Sequence, residues 1–171
     1  MGENTIHFRP AETIDLDRLN GVIASAFEQW PLPERVRRLA LPSYLYRGDD
    51  LKHLEIDLAE SVESGDTVAV AALEPLTVQP SPEIAKGMLL HGLYVAPAYQ
   101  GRGIGRSLIE RTRQRLAKRG FDGLLVKAQP EAVPFFERLG MRRLPVRDQL
   151  HDYPYRYWLP AVDGGHKKTG Q

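Results

Sequence analysis

Gln100-Gly101-Arg102-Gly103-Ile104-Gly105-Arg106 is the stretch on which the fold turns. Upstream of it, Met88-Leu89-Leu90-His91-Gly92-Leu93-Tyr94-Val95 is near-continuously apolar and reads as a buried strand, closed by Pro97. Downstream, Ile104, Leu108, Ile109, Thr112 and Leu116 recur at helical spacing, and Gly120 marks the stop. The order is therefore strand, glycine turn, helix. Glycines let the backbone take positive φ and approach a ligand closely. The first amides of the following helix have no partner within it, and with the helix dipole they form an anion site. Arg102 and Arg106 add full positive charge beside them. A phosphate or pyrophosphate is the natural guest. The stretch is not a P-loop, because no Gly-Lys followed by Ser or Thr is present. It is not a dinucleotide fingerprint either, because Arg106 stands where the third glycine would fall. The plain alternative is a glycine-rich turn that only joins strand to helix.

Working outward, Thr5–Arg9 alternates as a short strand and Pro10 stops it. Thr13 is the expected cap of a helix carried by Ile14, Leu16, Leu19, Ile23 and Phe27, broken by Trp30-Pro31-Leu32-Pro33. A short helix is expected over Arg35–Leu41. Leu51, Leu54, Leu58 and Val62 predict a further helix, with Glu55, Asp57, Glu60 and Glu63 on its other faces and Gly65 at its end. Thr67–Leu73 predicts a central strand, which Leu76–Val78 could extend as a meander before the loop Gln79–Pro82. Leu124–Val126 is the next strand; Pro130 opens a helix that ends before Gly140, and Tyr155–Leu159 is the last strand. Strands and helices interleave, so the class is α/β or α+β with one mixed sheet. A single domain over residues 1–162 is expected, with residues 163–171 as a disordered polar tail.

The chain has 171 residues, 42% of them apolar and 26% charged, which suits one domain with a proper core. Lys and Arg number 23 and Asp and Glu 22, so the net charge is only +1 and wholesale disorder is excluded. The charge is nonetheless uneven. Asp49–Asp66 holds seven acids and one base, and Arg102–Arg119 seven bases and one acid. There are no cysteines, which excludes disulfides, thiolate metal sites and cysteine catalysis, and suits a reducing, cytoplasmic setting. No metal is expected. No apolar stretch approaches the roughly 20 residues of a membrane span, and no signal peptide is readable, so no membrane partner is expected.

The surroundings of the glycine turn resemble a known family. Val95-x-Pro97, then Gln100-x-x-Gly103-x-Gly105 and an amphipathic helix, resembles the acetyl-CoA-binding motif of the GNAT superfamily of N-acetyltransferases. Downstream, Ala132-Val133-Pro134-Phe135-Phe136-Glu137-Arg138-Leu139-Gly140-Met141 is similar to that family's helix of the Phe-Tyr-Glu-Lys-Leu-Gly-Phe type. The opening Phe8-Arg9-Pro10-Ala11, followed by Asp15-Leu16, also fits, and the likeness covers roughly residues 5–160. The resemblance implies a mixed, mostly antiparallel sheet flanked by helices and splayed at the strand before the turn. It implies that backbone groups at Leu93 and Val95 hold the pantetheine arm, and that the Val95 N–H donates to the thioester oxygen. It implies that Gln100, Gly101, Arg102, Gly103, Ile104, Gly105 and Arg106 wrap the pyrophosphate, while Gln129 and Phe136 touch the cofactor arm and sulfur.

The implied reaction is direct attack of a primary amine on acetyl-CoA in a ternary complex. A lysine-like amine has a pKa of about 10.4, so only about one molecule in 2,500 is neutral at pH 7 and a base should help. His91, in phase with Leu89, Leu93 and Val95, is the candidate base, against the plain reading of a hydrogen-bonded strand histidine. Phe136 departs from the family, which places there a tyrosine that protonates the leaving thiolate. Tyr153, Tyr155 and Tyr157 are candidate substitutes. The acidic segment 51–63 could draw a cationic amine, and Trp30, Tyr44 and Tyr46 could line the acceptor site or simply pack the core. The acceptor, a small molecule or a protein amine, is not readable, and monomer and homodimer are both compatible. One rival is a catalytically weak or inactive acyl-CoA-binding or sensing module, favoured by Phe136. Nucleic-acid binding through the basic helix is the other rival. A neutral chain without interleaved aromatics argues against it.

Overall fold

The computed structural model describes residues 5–82 and 84–162. The expected disorder of residues 163–171 lies outside the described residues. Hydrogen bonding orders seven strands β1-β2-β3-β4-β5-β7-β6. They are β1 (Ile6–Pro10), β2 (Glu55–Ser61), β3 (Thr67–Pro75), β4 (Gly87–Val95), β5 (Gly123–Lys127), β6 (Arg142–Arg143) and β7 (Arg156–Pro160). The helices are α1 (Leu16–Phe27), α2 (Glu34–Ala40), α3 (Ile104–Lys118) and α4 (Val133–Arg138). The β1–β2, β2–β3, β5–β7 and β6–β7 pairs are antiparallel, and β4–β5 is parallel. This is the mixed, mostly antiparallel sheet with helices that the sequence implied.

The chain forms two compact units. The first runs to Glu74 and takes up again at His91–Leu108; the second holds Pro75–Leu90 and the described chain from Ile109 onward. In the first unit, α1 lays Leu19, Val22, Ile23 and Ala26 against Ile56, Leu58, Val70, Ala72, Tyr46 and Tyr94. Full burial of each large aliphatic here stabilises by about 1.5–3 kcal/mol. β3 is buried without interruption from Val68 to Leu73, as its continuous apolar run predicts. In the second unit, Ile84, Leu125, Leu144 and Trp158 form a further cluster. There β4 pairs with β5 from Gly87↔Gly123 to Leu90↔Val126, and β4 then runs on to Val95. The pairing stops one residue before β5 itself ends at Lys127.

Three sequence expectations are corrected. The segment 51–63 is not a helix; after a short 3-10 turn at Asp50–Lys52 it is strand β2. Its helical spacing is an accident of joining residues on either side of the strand, Leu51, Leu54 and Val62, to Leu58 within it. Within the strand Ile56 and Leu58 are buried and alternate with Glu55 and Asp57, the period of a strand, before the register shifts between Ala59 and Glu60. Its Glu60 is paired with Arg9, with oxygens 3.0 Å from Nε and 2.7 Å from Nη2, so no helical acidic face exists to draw a substrate. Thr13 is not a cap. It begins a 3-10 turn, Thr13–Asp15, in which Asp15 accepts the Glu12 N–H at 2.8 Å, and Ile14 is 84% exposed. Leu76–Val78 does not extend β3, although the Leu76 N–H still donates to the Gly87 carbonyl at 3.0 Å.

Candidate active site

The glycine turn leaves β4 through a 3-10 turn at Pro97–Tyr99. Gln100 Nε2 donates to the Val95 carbonyl at 3.0 Å, which ties the turn back to the end of the strand. Gly101 has φ +74° and Gly103 φ +79°, values that any L side chain resists. Nothing lies within 4 Å of where a Cβ would stand at either position, so the space over the turn is open. Gly105 differs: it is buried inside α3, without positive φ. The Ser107 N–H donates to the Gly103 carbonyl at 3.0 Å as α3 begins, and the amides ahead of it form the helix's donor-rich end. The Arg102 guanidinium stands 5.1 Å from the Tyr99 ring centroid, and Arg106 is exposed on the first turn. Gln100–Arg106 thus sets open backbone, a donor-rich helix end and two arginines together in the first unit.

The same unit holds His91, Leu93 and Val95 on β4. His91 is exposed; Leu93 and Val95 are half-buried. Met88, Leu90 and Tyr94 carry the buried alternation, and burial pushes the Tyr94 phenol up to about 12. His91 Nδ1 lies 3.0 Å from the Tyr46 hydroxyl. Tyr46 is 5% exposed, and burial first, then the charges of Tyr94, Asp50 and Glu74, raises its phenol well above the usual tyrosine range. Its backbone is clamped by one side chain of α1. The Tyr46 N–H donates to Asn20 Oδ1 at 2.9 Å, and Asn20 Nδ2 donates to the Tyr46 carbonyl at 2.8 Å. Sequence reasoning named Tyr46 as a residue that could line the acceptor site or pack the core, and it missed Asn20; no local signal announces contacts across 26 residues to Asn20 or 45 to His91. Trp30 and Tyr44 pack with Phe27, at centroid distances of 4.5 and 4.8 Å, so they serve the aromatic core of this unit.

In the second unit, Gln129 is exposed at the start of the 3-10 turn Pro130–Ala132. Phe136 is buried in α4, edge-on to Phe135 at 5.1 Å. Of the three tyrosines, Tyr157 is fully buried and donates to Glu137 Oε1 at 2.9 Å, which keeps its proton in place. The Tyr153 hydroxyl donates to the Ala128 carbonyl at 2.9 Å. Tyr155 is half-buried, its ring under the Arg143 guanidinium at 5.1 Å. Among the described residues, no group of three or more His, Asp or Glu side chains is placed to hold a metal, and no helix is long and apolar enough to cross a membrane.

A mixed sheet whose fourth strand runs into a glycine turn and a helix N-terminus defines an α/β fold with a donor-rich helix end beside two arginines. A family model described as an acetyltransferase (GNAT) domain matches residues 56–152. That is more than half of the sequence, and the chain belongs to the GNAT acetyltransferase family. No curated protein matches it. Solved structures do. A GNAT family acetyltransferase from Brucella melitensis in complex with acetyl-CoA is 20% identical, with a TM-score of 0.64 over 92% of this chain and 89% of that one. The PaiA N-acetyltransferase from Thermoplasma acidophilum, in complex with coenzyme A, is 14% identical, with a TM-score of 0.69 over 90% and 97%. A KacTA–DNA complex is 19% identical, with a TM-score of 0.65 over 92% and 94%. At these identities the likeness shows the fold.

Proposed function

We propose that this protein transfers an acetyl group from acetyl-CoA to a primary amine by direct attack in a ternary complex, as a single domain over residues 1–162. The observation that carries the reading is the pair of left-handed glycines, Gly101 and Gly103, set immediately before α3 with open space above them. The residues present fit a pyrophosphate: amide donors, two arginines and no side chain over the turn. When bound, acetyl-CoA supplies the thioester carbonyl and a thiolate leaving group, with a thiol pKa of about 8.5. The chain's own groups do the rest. Ile104, Gly105 and Arg106 offer their amides to the pyrophosphate, with Arg102 and Arg106 adding charge. Leu93 and Val95 hold the arm by their backbones, and the Val95 N–H donates to the carbonyl oxygen on which negative charge develops. On the acceptor side His91 has two roles open to it: to take the amine's proton or to hold the substrate.

Calorimetric titration with acetyl-CoA tests the cofactor half. Gly103→Asp adds a side chain and a negative charge in the left-handed position, and the expected outcome is a loss of affinity of at least about 100-fold. Undiminished binding would sink the assignment of the turn. Thiol release with a panel of amines tests the transfer half. The buried hydrocarbon at Phe136 and the committed hydroxyl of Tyr157 favour a second reading, a module that binds acyl-CoA without turning it over. Tight binding with no thiol release from any amine would select it.

A further inference from the structure

We propose that Gln100 is a positioning residue of the cofactor turn: its side-chain amide braces the turn against the end of β4 before any ligand arrives. The role rests on the acetyl-CoA reading and deepens it. The family resemblance groups Gln100 with the glycines around the pyrophosphate. Its side-chain nitrogen is instead committed to the protein, 3.0 Å from the Val95 carbonyl oxygen. A carbonyl carries no hydrogen to give, so the Gln100 amide is the donor.

The need for a brace follows from the turn itself. Gly101 and Gly103 sit at φ +74° and +79°. Glycine has more backbone freedom to lose than any other residue. Beyond the chain neighbours, nothing lies within 4 Å of where a Cβ would stand at either one, so packing on that side does not hold them. Such a turn has to be fastened at its ends. At the far end the Ser107 N–H donates to the Gly103 carbonyl at 3.0 Å. At the near end the Gln100 N–H meets the Pro97 carbonyl only at 3.3 Å, a long bond, and the side chain supplies a better one. Its anchor is fixed to the sheet. The Val95–Ala96 peptide that accepts from Gln100 also gives its N–H to the Val68 carbonyl at 2.8 Å, and Val68 is fully buried in β3. Between them, the Tyr99 N–H donates to the Ala96 carbonyl at 2.8 Å. A turn ordered in advance presents its amides to an anion without first being frozen, which removes an ordering cost from binding. The Val95 N–H is also the proposed donor to the thioester oxygen, so the brace joins the phosphate end of the cofactor site to its reacting end.

Two variants separate bracing from contact. Gln100→Met keeps the length of the side chain and loses the donor; Gln100→Arg restores a donor. The bond is exposed, so both variants are expected to melt with the wild type. Nitrogen-15 relaxation of the unliganded protein should give backbone order parameters of about 0.85 at Gly101 and Gly103 in the wild type, and below about 0.6 in Gln100→Met. Calorimetry should show Gln100→Met binding acetyl-CoA about fivefold more weakly, the size of one neutral hydrogen bond. Gln100→Arg should recover both the order and the affinity. Its titration is run at about 0.5 M salt, where the Debye length is only about 4 Å and the added charge is screened. Weaker binding by Gln100→Met with an unchanged free turn would mean that Gln100 touches the ligand, and would overturn the bracing role alone. Unchanged binding by Gln100→Met would do the same. A wild type that binds no acetyl-CoA at millimolar concentration overturns the cofactor reading, and the positioning role falls with it.

Discussion

At the scale of single residues, what separates the glycines of this chain is why each lacks a side chain. Gly101 and Gly103 are required by backbone conformation, because their φ values lie where L residues are strained and no atom crowds them. Gly92 is required by packing: a Cβ would come 2.6 Å from Tyr94 Cε2 and 2.8 Å from Tyr46 Oη. The two kinds of glycine predict different mutants. Gly92→Ala should lower stability by about 1–3 kcal/mol through overpacking. Adding Tyr46→Phe, which removes the crowded oxygen, should recover part of that loss. Urea titration of the three variants measures it; an additive double mutant would show that Tyr46 is not what the new methyl meets. Gly123 is tighter still, since a Cβ there would run into the Leu159 carbonyl, which is backbone and cannot swing aside.

At the scale of elements, Arg9 of β1 is the joint of the first unit. Its guanidinium makes two hydrogen bonds to Asp15, both at 2.8 Å, and two to Glu60, at 3.0 and 2.7 Å. One side chain thereby fixes β1 to β2 and to the turn that starts α1. The Arg9 hydrogen bonds hold the Asp15 carboxyl at about 2, below its ordinary 3.8, against the opposing effect of burial. Glu60 is lowered for the same first reason. A carboxyl depressed in the folded state gives stability that is present above pH 4 or so and is lost as pH falls toward 2. For Asp15, which is 3% exposed, the shift corresponds to about 2 kcal/mol. Thermal melts between pH 2 and 6 should show this loss in the wild type and a visibly shallower slope in Asp15→Asn. Parallel curves for the two proteins would contradict the role given to this contact.

At the scale of the whole molecule, the two compact units share two continuous elements: β4 passes from one to the other at Leu90–His91, and α3 at Leu108–Ile109. The proposal of a single domain therefore predicts one cooperative unfolding transition, with calorimetric and van't Hoff enthalpies in agreement. Two resolved transitions would refute it. Ligand linkage gives a second measurement on the whole chain. Acetyl-CoA at 100 times its Kd should add about 2.7 kcal/mol, roughly 5–11 °C in Tm for a chain of this size. In Gly103→Asp that increment should vanish at the same cofactor concentration.

Much of this was legible in the sequence, and the reason is locality. The glycine turn, the strand before it and the helix after it are neighbours along the chain, so composition and period alone revealed strand, turn and α3. The family followed from the same motif and its downstream partner. Period misled where Leu51, Leu54 and Val62, which lie outside β2, fell at helical spacing with Leu58 inside it. Other features had no local signature at all. β6 is two exposed arginines, defined only by lying beside Trp158 and Tyr157 of β7. The order that places β7 between β5 and β6 is a matter of long-range hydrogen bonding. The Tyr46–His91 contact joins residues 45 apart in sequence. The sequence by itself determined most of the strands and helices and the glycine turn, because their signals lie within a few turns of chain. Only the tertiary structure decided that His91 meets Tyr46 and that Asn20 holds Tyr46 in place, because burial and hydrogen-bond partners are properties of packing.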